Sequence, residues 1–326
     1  MRLASFSSLK KAVNLLKKGQ LVVLPTETVY GLAADAFNPK AIKKIFTLKK
    51  RPLFDPLIVH LHDPSQLNSL VKTIPPIAKR LMEKFWPGPL TLILPAHPNI
   101  SKLITAHLPT IAVRMPNHPI AAKLLKLFGN PLAAPSANRF GYISPTSLDA
   151  VKKEFGKKTP FSLQGGKCQL GLESTIIHFQ KNEPIILRVG SITPEQIEKV
   201  LKHKIKIQTK TVLKHPLAPG QLARHYAPRT RLILLPEKWR QQKISFPKKS
   251  ILLLFQKPFS SFTGSQYFLT KHGSLKEAAK NLYHFLRKLD EKKASKIYAE
   301  LVPNRGLGIT INDRLKKAAY KFRKIY

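Results

Sequence analysis

Over the first two hundred residues, short apolar runs alternate with stretches whose apolar residues return every three or four positions. Such alternation predicts an α/β arrangement of buried strands and amphipathic helices. The run "LVVLP" (21–25) reads as a strand, and "NPKAIKKIFTLKKRP" follows as a helix. Asn38 caps that helix, Pro39 occupies its first position, Ala41, Ile42, Ile45 and Phe46 form its apolar face, and Pro52 ends it. "PLIVHL", "LTLIL" and "TIAVRMP" read as further strands, with a helix around Ile77, Leu81, Phe85 and Trp86 and another in "HPIAAKLLKLFG" closed by Gly129. "NPLAAPSANRFGYISPT" holds too many prolines and small residues for a regular element and reads as an ordered loop. "ESTIIHF" and "PIILRVG" read as a strand pair, and "TPEQIEKVLKH" as a helix with Thr193 and Gln196 in a capping box.

The pattern changes after about residue 203, where a polar, basic stretch leads into "HPLAPGQLARHYAP". Beyond it come strands "RLILLP", "SILLLF", "QYFLT" and "KIYAELVP", a helix from Ser274 with Glu277 completing a capping box, and a helix in "INDRLKKAAYKF". Strands separated by a crossover helix predict a small, mainly parallel sheet. The expected organisation is a first domain over 1–205, a proline-rich linker over 206–230 and a second domain over 231–326. At the N-terminus, "SSLKKAVNLLKKG" predicts a first helix capped by Ser7 or Ser8 and stopped by Gly19 rather than a targeting peptide.

Composition adds three bounds. No apolar run reaches the length of a bilayer span. One cysteine, Cys168, excludes an intramolecular disulfide and fits a reducing, cytoplasmic setting. The formal net charge of +40, from 57 Lys and Arg against 17 Asp and Glu, favours phosphate-bearing partners, yet it is spread over nearly every element. It therefore suits either an enzyme of anionic substrates or a non-catalytic RNA-binding or ribosome-associated module.

P-loop, dinucleotide-binding and zinc-protease signatures are absent, so no dedicated metal site is expected. Five other stretches carry candidate chemistry. "KKRP" (49–52) offers Lys49 and Arg51 at a helix end, where cations either complement the helix dipole or fork onto phosphate. "PSAN" (135–138) presents a hydroxyl, a carboxamide and turn amides, an anion-friendly set or merely a proline-framed turn. Arg114 stands inside an apolar strand, and a buried cation needs an anion, from the protein or from a ligand. Arg188 repeats the theme at a strand end, and Ser174 and Thr175 open a strand with hydroxyls.

In their order along the chain, "PTETVYGL", "KKRP" with "PLIVH", "WPGPLT", "TIAVRMP", "PSAN", "LESTI" and "ILRVG" resemble the YrdC-type threonylcarbamoyl-AMP synthases over about residues 8 to 205. "APGQLARHYAP" and "GLGITINDRLKKAA" are similar to the longer two-domain form. The resemblance implies a twisted open sheet with a basic concave face. It also implies synthesis of threonylcarbamoyl-adenylate from L-threonine, bicarbonate or carbon dioxide, and ATP with Mg²⁺, for tRNA modification. Carried onto matching positions, Thr28, His60, Arg114, Ala134 and Ser174 would bind threonine. Lys49, Arg51, Ser136 and Asn138 would be catalytic around the nucleotide, with Asp55, Thr110, Ser144 and Arg188 as further ATP contacts and His225 and Tyr226 as lid contacts. Asp55 departs from the family's usual Asn, and Glu27 reads as structural before catalytic. The second domain would position the lid linker.

Overall fold

The computed structural model describes residues 3–208, 216–223, 225–292 and 294–319. The polar stretch 209–215, Arg224 and the end of the predicted last helix ("YKF") lie outside them. The chain forms two compact units. The first comprises Met1–Phe140 and Ser144–Leu222, the second Gly141–Ile143 and Ala223–Tyr326.

The first unit is built on a ten-stranded mixed sheet. Its centre is Leu90–Pro95 paired antiparallel with Thr110–Arg114, which runs parallel to Ile58–His60. On one side Leu90–Pro95 pairs with Thr175–Gln180, and that strand with Glu183–Arg188. On the other, Leu132–Ala133 joins Ile58–His60 to Gly31–Asp35, which pairs with Val22–Leu24. This order aligns His60, Arg114 and Thr91 side by side across three neighbouring strands.

Helices cover the sheet through faces read directly from sequence. Asn38 accepts a hydrogen bond from the Ala41 N–H, Pro39 starts the helix Pro39–Lys49, and Ala41, Ile42, Ile45 and Phe46 are buried. The helix Phe6–Lys17 buries Leu9, Ala12, Val13 and Leu16 against Ile120, Ala121, Leu124 and Leu125 of Pro119–Phe128. Burying such aliphatic side chains contributes about 1.5–3 kcal/mol each as an upper estimate. The cap of the first helix is Ser5, neither Ser7 nor Ser8: Ser5 Oγ accepts from the Ser8 N–H. The expected capping box over Thr193 and Gln196 forms.

The second unit has a four-stranded sheet, Leu232–Leu234, Lys296–Ala299, Ser250–Leu254 and Ser265–Phe268, all parallel. Leu275–Asp290 is the crossover helix, with Ser274 accepting from the Glu277 N–H. The Glu277 carboxylate instead accepts from the Thr270 hydroxyl and the Lys271 N–H, in place of the expected box. The last helix begins at Leu307, before "INDRL".

Three further departures concern short or weakly patterned elements. Gly31–Asp35 and Leu132–Ala133 are strands, the latter inside the stretch read as loop, and Leu148–Phe155 is a helix capped by Ser147. Among the described residues no helix is long and apolar enough to cross a membrane.

Candidate functional site

The candidate side chains of the first unit gather at strand ends and in the turns that follow them. Arg114 ends Thr110–Arg114 and is 4% exposed, so its charge must be met inside the protein. Nη2 donates to Glu27 Oε1 at 2.6 Å, Nη1 to Thr28 Oγ1 at 3.0 Å, and Nε to the Gly88 carbonyl at 3.3 Å. The anion foreseen for Arg114 is thus supplied in part by the protein. A guanidinium carries five N–H donors, and these contacts use three.

The proton order around Thr28 follows from its neighbours. Thr26 donates its one hydroxyl proton to the Val29 carbonyl at 2.6 Å. Thr28 must then donate to Thr26 Oγ1 at 2.8 Å and accept from Arg114. The stretch "PTET" is a turn whose two hydroxyls and carboxylate fix one guanidinium. His60 lies beside Arg114, buried, with Nδ1 lacking a hydrogen-bond partner in the protein. Burial, and secondarily the Arg114 charge, push its pKa down to about 3, so the ring is neutral. Ala134 is buried nearby and its N–H donates to the Ile58 carbonyl at 3.0 Å.

Ser174 joins a second network. Its hydroxyl is 2.7 Å from that of Thr91, and Arg188 Nη2 donates to Ser174 Oγ and to the Ser174 carbonyl at 3.0 Å. Arg188 Nη1 also donates to the Pro219 carbonyl at 3.2 Å. Gly190 makes this crossing possible: a Cβ there would stand 2.3 Å from the Thr175 nitrogen.

The third group lies at the end of the helix Pro39–Lys49. Lys49 is 1% exposed and turns inward, donating through Nζ to the Ser136 carbonyl at 2.5 Å and the Asn138 carbonyl at 2.6 Å. It thereby fixes the "PSAN" turn, while Asn138 Nδ2 donates to the Arg139 carbonyl at 2.8 Å. Desolvation, then the charge of Arg51, holds the Lys49 pKa well below that of an ordinary lysine. Arg51 donates to the Asp55 and Pro56 carbonyls at 3.1 and 2.6 Å and pairs with Asp55 Oδ2 at 3.0 Å. Asp55 is fully buried, which raises its pKa against the opposing pull of Arg51, Lys49 and Arg188. Asp55 is thus paired with Arg51 and within electrostatic reach of Lys49 and Arg188, while Glu154 also acts on Lys49.

The remaining predicted residues are spread more widely. Thr110 begins the strand that Arg114 ends, about 13 Å away along the chain direction. Ser144 is fully buried, and its hydroxyl finds no hydrogen-bond partner in the protein. His225 and Tyr226 belong to the second unit. There Tyr226 is 1% exposed, its ring 5.8 Å from that of Tyr283 and 4.7 Å from the Arg314 guanidinium. Sequence reasoning passed over Thr26 and Thr91, and the Thr-x-Thr spacing and the polar position in "LTLIL" are the signals that mark them. Among the described residues, no three His, Cys, Asp or Glu side chains cluster to hold a metal ion.

Two family models match this chain. Residues 14–190 match the Sua5–YciO–YrdC model, described as telomere recombination, and 192–320 match the threonylcarbamoyl-AMP synthase C-terminal domain. The threonylcarbamoyl-AMP synthase of Pyrococcus abyssi is 38% identical over 326 residues, covering 96% of this chain and 95% of the relative. That of Bacillus subtilis is 40% identical over 319 residues, covering 95% and 92%. A crystal structure of P. abyssi Sua5 complexed with L-threonine matches with a TM-score of 0.86 at 37% identity, over 95% of this chain and 94% of the other.

Proposed function

From the premise that this chain belongs to the two-domain threonylcarbamoyl-AMP synthase family, we infer that its site condenses L-threonine, bicarbonate-derived carbon dioxide and ATP into threonylcarbamoyl-adenylate and pyrophosphate. The activity is ATP-dependent nucleotidyl transfer. Its place upstream of tRNA threonylcarbamoylation, in the cytoplasm, is part of the same reading.

The observation that carries the residue assignment is the uneven distribution of charge. Arg114, with one carboxylate and unfilled N–H donors, suits a single ligand carboxylate. Lys49, Arg51 and Arg188, sharing Asp55, suit a polyphosphate. We assign threonine to Arg114, Thr28, Ser174, His60 and Ala134. The nucleotide is assigned to Lys49, Arg51, Ser136, Asn138, Ser144, Arg188 and Thr110, with Asp55 beside it as the carboxylate that competes with the triphosphate for Arg51, and His225 and Tyr226 as lid contacts.

In the proposed chemistry, the threonine nitrogen bonds to the carbon of CO₂ and its proton leaves to water. A carbamate oxygen then attacks the α-phosphorus in line, and the bond to the bridging oxygen breaks to release pyrophosphate. No protein nucleophile is needed. Positioning and cations facing the developing phosphoryl charge supply the rate. The donor set fits Mg²⁺ carried in on the triphosphate better than a resident metal, since basic side chains outnumber carboxylates there and, among the described residues, no three His, Cys, Asp or Glu side chains cluster. Bound so, the ion would neutralise β- and γ-phosphate charge.

Pyrophosphate release from ATP, Mg²⁺ and bicarbonate, with and without L-threonine, tests the reading. We expect threonine-dependent release that Arg114→Ala abolishes. Release independent of threonine, or none with any amino acid, would overturn it.

A further inference from the structure

Glu27 holds Arg114 with only one of its two carboxylate oxygens. Oε1 accepts from Arg114 Nη2 at 2.6 Å, while Oε2 is buried and has no hydrogen-bond partner among the described residues. The residue is 3% exposed, so water does not reach it freely in place of a partner. His118 and Cys168 lie within electrostatic reach of this carboxylate, yet neither donates to Oε2. The backbone that carries it is fixed on both sides. Thr26 Oγ1 accepts from the Thr28 and Val29 N–H groups at 3.2 Å, and the Glu27 carbonyl accepts from the Leu170 N–H at 2.9 Å. All of these residues belong to the first unit.

Buried polar atoms are nearly always paired, so an orphaned carboxylate oxygen points to a donor from outside the protein. An ionised carboxylate only accepts, and that donor must therefore carry an N–H or O–H. Charge narrows the choice. Arg114 and Glu27 together are neutral, and a ligand carboxylate added to Arg114 sets a second anion beside Glu27. A plain carboxylate is repelled there, whereas an α-amino acid brings a positive nitrogen on the same carbon as its carboxylate.

We propose that Glu27 Oε2 accepts from the nitrogen of the threonine substrate, which makes Glu27 the residue that selects α-amino acids over other carboxylates and orients the reacting nitrogen. This rests on the assignment of threonine to Arg114. The ammonium, the amine and the carbamate each keep at least one N–H. One contact therefore serves from binding through carbamate formation and leaves the amine lone pair free for CO₂. Oε1 fills the structural role that the sequence suggests for Glu27, and Oε2 adds the second.

The test is calorimetric titration in bicarbonate-free buffer with ATP and Mg²⁺ present, where no carbamate forms, for wild type, Glu27→Gln and Glu27→Asp, each with a thermal melt. The ligands are L-threonine, (R)-3-hydroxybutyrate, which lacks the nitrogen, and L-2-aminobutyrate, which lacks the hydroxyl. Glu27→Gln keeps an oxygen for Arg114 but turns an amide N–H₂ toward the ligand nitrogen. A hydrogen bond to a charged group shifts an equilibrium by roughly tenfold to a hundredfold. Glu27→Gln is therefore expected to weaken both amino acids at least tenfold and to leave (R)-3-hydroxybutyrate within about threefold of wild type or tighter. Glu27→Asp, which keeps the charge, retains part of the preference. If neither variant folds, the wild type still decides: affinities for threonine and (R)-3-hydroxybutyrate within about threefold of one another would overturn the proposal. Equal losses for all three ligands in Glu27→Gln, the result of a purely structural carboxylate, would also overturn it. So would a loss for threonine alone, which would place Oε2 on the hydroxyl. Threonine binding unchanged in Arg114→Gln would instead sink the assigned threonine site.

Discussion

On the proposed threonine side of the site, one buried cation meets one buried anion: Arg114 and Glu27, 2.6 Å apart, both about 5% exposed at the side chain. On the proposed nucleotide side, Lys49, Arg51 and Arg188 lie within electrostatic reach of Asp55, and Glu154 also acts on Lys49. The first arrangement is balanced before any ligand arrives and presents spare donors. The second gathers more basic side chains than carboxylates around one turn. Basic side chains gathered in this way favour a ligand that brings several negative charges. The net charge of +40 gave no such information, because it is spread over the whole surface.

Breaking the balanced side is expected to have the largest effect on the fold. Glu27→Ala leaves Arg114 with Thr28 and Gly88 but no anion, and should lower stability by about 3–5 kcal/mol. Thermal and urea unfolding would read this, with L-threonine restoring part of the loss through its carboxylate. A melt within one degree of wild type would show that Arg114 does not depend on Glu27.

Changing the surplus side should matter less for folding and more for binding. Asp55→Asn removes the shared carboxylate and should destabilise the ligand-free protein by about 1–3 kcal/mol. It should also tighten ATP binding about tenfold, since the triphosphate would no longer share its cations. Calorimetric titration with ATP checks the second part. Weaker ATP binding would mean that Asp55 acts for the nucleotide, through Mg²⁺ or directly.

The smallest effect is a pH dependence. His60, with a folded pKa near 3 against an ordinary 6.5, binds fewer protons when folded between those values. Stability then rises with pH across that window and is lost on acidification below about 6.5. Asp55, whose pKa is raised, acts in the opposite sense above its ordinary 3.8, and His60→Gln leaves that contribution in place. His118 and His178, also lowered by burial, add to the slope. His60→Gln should flatten the unfolding free energy in that range, and an unchanged slope would assign it to the other two.

Much of the architecture was legible because its signals are local. Asn38 with Pro39, and Thr193 with Pro194 and Gln196, announce helix starts within four residues. Leu132–Ala133 carries no such signal. It is a strand because Gly31–Asp35, about a hundred residues before it, and Ile58–His60, about seventy before it, offer their edges. The site divides in the same way. A lone arginine in "TIAVRMP" declares that it needs an anion, but Glu27 is 87 residues away and only the fold joins them.

The central claim is that the two sides answer to different substrates. Arg114→Gln and Arg51→Gln, each with KM measured for threonine and for ATP, test it most directly. A crossed result is expected: Arg114→Gln raises KM for threonine by at least roughly thirtyfold and KM for ATP by less than about threefold, and Arg51→Gln does the reverse. Both constants rising together in either variant would contradict it.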